Sequence, residues 1–216
     1  MAQHRLKAVI FDFDGTLAPL NLDFSFLREE VSKIALKYVS ESILGSLNHY
    51  HILEMIYELE GYLGEKGKIF RKEAFSKLRE LEVEAASKKS LFFYTRGVLK
   101  KLKETNIIEG IITRTCIEAV VTVFPDYKSY IQAVVTRDDV TRVKPHPEHV
   151  MKILNILNIV AEEAIVVGDH PTDIIAGNLV GMKTLGVLTG RTKREDFLKV
   201  GATYVFQDIR GLINLI

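Results

Sequence analysis

From about residue 90 to the end, short apolar runs alternate with stretches of helical periodicity, and few architectures accept that pattern. The runs cover 110–113, 131–136, 164–167, 183–188 and 203–206, and an earlier one, LKAVIFDF, covers 6–13. Such near-continuous runs need burial on both faces of a sheet. The helix-like stretches cover 97–104, 115–124, 147–157, 172–180 and 193–200. Strands covered above and below, each followed by a helix, predict a parallel sheet with helices on both faces.

Residues 19–89 read differently. They contain no convincing strand. Phe24, Leu27, Val31, Ile34 and Tyr38 fall at helical spacing behind Asp23, a candidate N-cap. A second stripe, Ile52, Met55, Ile56, Leu59 and Leu63, ends at Gly64 and Gly67, and a third runs through Phe70, Ala74, Phe75, Leu78 and Leu81. The expected fold is a Rossmann-like, three-layer α/β core of residues 1–18 and 90–216, with an all-helical cap inserted at 19–89. The joints fall near 15–20 and 88–95, with Gly15 and residues 87–90 as points where the insertion flexes as a lid.

Composition narrows the function. The formal net charge of +1 carries no basic excess for nucleic acid and no acidic tail. Asp12 and Asp14 interrupt the N-terminal apolar run, which therefore reads as neither signal peptide nor membrane span. The single cysteine, Cys116, cannot form an internal disulfide and stands in no zinc-like spacing. These features predict a soluble cytoplasmic protein with no membrane or nucleic-acid partner, and they leave the oligomeric state open.

Four places carry candidate chemistry. In Asp12-Phe13-Asp14-Gly15-Thr16, two acids at i and i+2 of a strand share one face beyond its carboxyl end, where open α/β sheets bind ligands. Close like charges repel, and a divalent cation offsets the repulsion. An Asx-rich turn uses the same residue types, but the apolar strand in front of this pair favours the cation site. In Gly168-Asp169-His170-Pro171-Thr172-Asp173, acids again follow an apolar run. Capping of the next helix by Thr172 or Asp169, with Asp173 at its positive end, accounts for them equally well. Thr113 closes the run at 110–113, where a hydroxyl serves either a phosphate oxygen or a helix cap. Lys144 precedes Pro145 and Pro147, whose rigid lead-in to a helix makes it a better fixed cation than an ordinary surface lysine.

Taken in order, DFDGTL, the strand end at Thr113, KPHPE and GDHPTD resemble the four motifs of the haloacid dehalogenase-like hydrolase superfamily over nearly the whole chain. The insertion is similar to the cap between the first two motifs of its phosphoglycolate-phosphatase-like branch. The resemblance implies a nucleophile at Asp12 and a general acid/base at Asp14. It implies magnesium on Asp12, Asp14 and Asp169, with Asp173 in support, and a substrate phosphate on Thr113, Arg114 and Lys144. Arg114 stands where many relatives carry asparagine and His170 where serine is common. Both departures bear on leaving-group recognition.

The implied activity is magnesium-dependent hydrolysis of a small phosphorylated metabolite through an aspartyl-phosphate. A dehalogenase of this superfamily usually lacks an acid at the position of Asp14. A phosphonatase needs a Schiff-base lysine in the cap, where Lys33, Lys37, Lys66, Lys68 and Lys72 are available without a distinguishing setting. A phosphosugar mutase shares all four motifs and differs in its phosphoryl acceptor. A catalytically silent binding protein is the reading that intact acids at 12, 14 and 169 oppose.

Overall fold

A computed structural model describes residues 5–216. Residues 1–4 of the expected core lie outside the described residues. One compact unit contains the described chain up to Leu20 together with Ala86–Ile216, and a second contains Asn21–Ala85.

The first unit is built on six strands: β1 (Ala8–Phe11), β2 (Ile108–Ile112), β3 (Ala133–Val135), β4 (Ala164–Gly168), β5 (Lys183–Val187) and β6 (Tyr204–Phe206). They form one sheet in the order β3-β2-β1-β4-β5-β6, and every pairing is parallel. β1 and β4 are buried along their whole length, as their unbroken apolar runs require. The remaining helices number in chain order after four in the second unit. α5 (Thr95–Glu104) packs on β2, α7 (Pro147–Leu157) on β2 and β3, and α8 (Pro171–Leu179) on β4 and β5. α6 (Ile117–Val123) follows β2, and α9 (Arg194–Lys199) contributes Phe197 to a buried cluster with Ile174 and Val205. The chain leaves β1 toward β2 and β3, then returns to the other side of β1 as β4. Such a reversal opens a crevice at the carboxyl ends of the two central strands.

The second unit is all-helical: α1 (Phe24–Ala35), α2 (Glu41–Ser46), α3 (Ile52–Leu63) and α4 (Gly67–Ala86). Asp23 caps α1 by accepting from the Ser25 and Phe26 amides, both at 3.0 Å. Leu27, Val31, Met55, Ile56, Leu59, Phe70, Ala74 and Leu78 are buried, as the stripes predict, whereas Phe24 of the first stripe is exposed. The helix α2 left no stripe to read, because it is six residues long and buries none of them. Gly67 starts α4, whereas the periodicity placed it at the end of the preceding helix. No helix among the described residues is long and apolar enough to cross a membrane.

One core residue conflicts with its surroundings. Glu109 of β2 is 0% exposed, and neither carboxylate oxygen has a hydrogen-bond partner among the described residues. Burial pushes its pKa up from 4.5 to about 7. A raised folded pKa means the fold holds a proton that the unfolded chain releases. The stability this group allows is therefore complete below pH 4.5 and falls as pH rises through about 7. Glu109→Met removes that loss. Its stability advantage over the parent should widen by up to about 3 kcal/mol between acidic and mildly alkaline pH. Urea unfolding at both pH values measures this. Parallel pH profiles for variant and parent would show that Glu109 stays ionised in the fold.

Candidate active site

β1 ends at Phe11, and the chain turns sharply after Asp12. The amides of Thr16, Leu17 and Ala18 all point at the Phe13 carbonyl, at 3.3, 2.9 and 3.2 Å. Gly15 takes φ +91°, which L side chains rarely adopt, and a Cβ there would lie 2.2 Å from Asp169 Oδ2. Gly190, beyond β5, makes the same allowance from the other side, since its Cβ would lie 1.9 Å from that oxygen. Two glycines thus leave a slot that Asp169 fills.

Asp12 continues β1 by donating its amide to the Val167 carbonyl at 2.8 Å, so it stands beside the Gly168-Asp169 end of β4. Asp173 reaches the same place from the first turn of α8. Its Oδ2 accepts from the His170 amide at 3.2 Å while the His170 ring accepts from Thr172, so His170 is the cap of this helix. Ligand oxygens of Asp12, Asp169 and Asp173 lie within 4.8 Å of one another. Lys144 enters the cluster with Nζ 2.6 Å from Asp12 Oδ1, 2.5 Å from Asp173 Oδ1 and 3.2 Å from the Ile112 carbonyl. Its side chain is 2% exposed.

Three buried carboxylates around one ammonium leave two negative charges uncompensated if all ionise. Burial, then the Asp12 and Asp173 charges, push the Asp169 pKa up to about 9. Burial raises Asp173 to about 6 although Lys144 opposes the shift. Burial works against the charge on Lys144, but Asp12 and Asp173 outweigh it and its pKa is raised. The donor set is all oxygen, hard, and short of one dication, which fits a hard divalent cation.

Asp14 stands elsewhere. With β1 ending at Phe11, the pleat no longer sets its direction. Its carboxylate pairs with Lys89 and is not part of the close group formed by Asp12, Asp169 and Asp173. Thr16 donates to Asp12 Oδ2 at 3.3 Å.

Thr113 directly follows β2 and is buried, with its amide donating to Val135 O at 3.0 Å and its hydroxyl accepting from the Thr115 amide at 3.2 Å. Arg114 turns its guanidinium to the Lys144 carbonyl, 2.7 Å away, and its own carbonyl accepts from buried Arg137 at 3.2 Å. Arg114 therefore braces the lysine loop in this structure.

Three contributors escaped the sequence reading. Lys89 lies in Ser87-Lys88-Lys89-Ser90, which looks like a solvated linker. Thr189, beyond β5, donates its hydroxyl to the Gly15 carbonyl. His149 is wholly buried, accepts the Lys144 amide at Nδ1 (3.3 Å) and places Nε2 3.0 Å from Val135 O. An amide only donates and a carbonyl only accepts, so the ring is neutral with its proton on Nε2. Burial and the nearby Lys144 charge agree, lowering its pKa to about 4. His149 thereby links the Lys144 loop to the carbonyl that also holds Thr113.

A family model described as haloacid dehalogenase-like hydrolase matches residues 9–187. Pyrophosphatase PpaX of Bacillus cereus (strain G9842) is 30% identical over 211 residues, covering 89% of each chain. Among solved structures, a provisionally named phosphoglycolate phosphatase from Lactobacillus plantarum superposes with TM-score 0.73 at 17% identity, covering 98% of this chain and 100% of that one. A provisionally named β-phosphoglucomutase from Thermotoga maritima gives 0.64 at 22% identity, with 98% and 100% covered. At those identities the two structures speak to the fold alone.

Proposed function

This chain belongs to the haloacid dehalogenase-like hydrolase family, and from that premise and the geometry above we propose that it is a magnesium-dependent phosphatase acting through an aspartyl-phosphate on Asp12. One observation carries the reading. Asp12, Asp169 and Asp173 converge at the carboxyl ends of the central strands around Lys144, a lysine that forms ion pairs with both Asp12 and Asp173.

Asp12 and Asp169 would hold the ion, with Asp173 beside them. Bound magnesium supplies neutralising charge and Lewis-acid polarisation at the phosphoryl oxygens. The chain's own groups do the rest. Lys144 and the Thr113 hydroxyl bind the remaining phosphoryl oxygens in a preorganised setting, and that stabilisation counts most as charge builds in the transition state. Asp12 attacks phosphorus in line, forming a P–O bond as the ester P–O bond breaks. Asp14 gives its proton to the departing oxygen. It then accepts one from the water that attacks phosphorus, so that phosphate leaves and Asp12 is regenerated. Arg114, whose guanidinium donates to the Lys144 carbonyl, would add a further positive charge for the phosphate.

The substrate class is a small phosphorylated compound, taken up by a protein we place in the cytoplasm. The relatives named pyrophosphatase make inorganic pyrophosphate one compound to include. The test is hydrolysis by the purified protein of a panel of phosphorylated metabolites, pyrophosphate and a generic aryl phosphate, with and without magnesium. Magnesium-dependent phosphate release with a clear preference is expected. Phosphoryl transfer to a second sugar phosphate in place of water would instead identify a mutase. Silence across the panel with magnesium bound would identify a binding protein.

A further inference from the structure

Lys89 is a lysine on a connecting segment, and lysines there stay in water unless something holds them. Its neighbour Lys88 is exposed, yet the Lys89 side chain is only 6% exposed. The ammonium pairs with Asp14 Oδ1, donates to the Pro19 carbonyl at 3.2 Å, and lies 6.0 Å from the centre of the Phe13 ring.

Those partners lie at the root of the helical insertion. The outgoing chain passes through Leu17 and Pro19, and the returning chain through Lys89, Phe92 and Thr95. The two segments are bonded to each other, with the Phe92 amide and the Thr95 hydroxyl both donating to the Leu17 carbonyl, at 3.1 and 2.8 Å. Lys89 extends this brace to a carboxylate. The pleat of β1 stops at Phe11, and Asp14 lies beyond it, in a local bridge to Ala18. The ion pair with Lys89 and the turn around Gly15 contribute to its place.

We propose that Lys89 is a positioning residue for the acid/base: it anchors the Asp14 carboxylate to the braced root of the insertion, so that protons are delivered and collected at one fixed point. The proposal rests on the acid/base reading of Asp14. A merely structural ion pair would neutralise two largely buried charges and leave turnover alone. A substrate contact would act through binding. A positioning role acts on the proton-transfer steps, and only while Asp14 carries a carboxyl group.

The experiment is a double-mutant cycle of Lys89→Met and Asp14→Asn, with Lys89→Arg and Lys89→Gln alongside so that a folding failure in one variant does not remove the test. Substrates are an alkyl phosphate, whose leaving oxygen needs a proton, and an aryl phosphate with an acidic phenol, which does not. With the alkyl phosphate, Lys89→Met should lower kcat at least about tenfold with KM within about threefold, and Lys89→Arg should recover most of the loss. With the aryl phosphate, the first phenol burst should keep its rate while later turnover slows. In the Asp14→Asn background the same Lys89 change should alter kcat by less than about twofold. A full multiplicative effect in that background, a loss confined to KM, or an unchanged kcat overturns the proposal. If Asp14→Asn itself keeps turnover on the alkyl phosphate, the acid/base reading fails first, a result separate from failure of Lys89 alone.

Discussion

Asp12→Asn should lose turnover on the order of a thousandfold or more while remaining folded. The substituted amide cannot form a stable acyl phosphate, and it is a poorer oxygen ligand for a dication. The fold should survive because the change removes one negative charge from an overcrowded cluster. Lys144 keeps Asp173 as partner at 2.5 Å, and Asp169 loses one of the charges that raise its pKa. Without magnesium, the variant should melt no lower than the parent. Steady-state rates on the preferred substrate, paired with thermal melts, check both halves. Retention of even about a tenth of parental turnover would exclude Asp12 as the nucleophile.

Removal of magnesium should abolish turnover and lower the melting temperature, the second effect depending on pH. The sign follows from two raised carboxyls. Asp173 at about 6 and Asp169 at about 9 both lie above their ordinary value of 3.8. The metal-free fold therefore loses stability as pH rises from 3.8 through those values, because two acids must ionise against their neighbours. A bound dication compensates the same charges, and protons compete with it. The rise in melting temperature on adding magnesium should be small in mildly acidic solution and larger in mildly alkaline solution. Calcium should raise the melting temperature too but support little turnover, since its larger and looser shell draws Asp12 away from in-line attack. Full activity in excess chelator, or a magnesium increment that ignores pH, would contradict a metal held by these carboxylates.

Much of this architecture was legible before any coordinates. The five runs after residue 90 became β2 to β6 with boundaries within about two residues, as short buried strands permit when nothing else competes for them. Pro147 starts α7 as its fixed φ favours. Asp12, Thr113 and Asp169 land at the carboxyl edge of the sheet because each directly follows a strand. Lys144 and Asp173 join them through a proline-flanked loop and a helix cap.

What stayed hidden depends on contacts across long stretches of chain. Nothing local distinguishes Lys89 from Lys88, and 75 residues separate it from Asp14. His149 looks like one more polar residue on a helix that also carries Glu148, Lys152 and Asn155 until Val135 and the Lys144 amide are seen on either side of its ring. Strand alternation does not by itself set the direction of Asp14. Asp14 lies three residues beyond Phe11, the last residue of β1, in a turn that strand alternation does not govern. Similarly, the guanidinium of Arg114 is spoken for in part by a backbone carbonyl that spacing could not reveal.

The central claim is that phosphate passes through Asp12, and the most direct measurement is chemical trapping of that intermediate. The Asp14→Asn variant, slowed in releasing phosphate, is mixed with magnesium and an activated aryl phosphate, quenched within one turnover, and treated with borohydride. An acyl phosphate is reduced to the alcohol, so peptide mass spectrometry should find homoserine at position 12 and at no other acid. Phenol release with position 12 unmodified, or with the reduced residue at Asp169 or Asp173, would contradict the account.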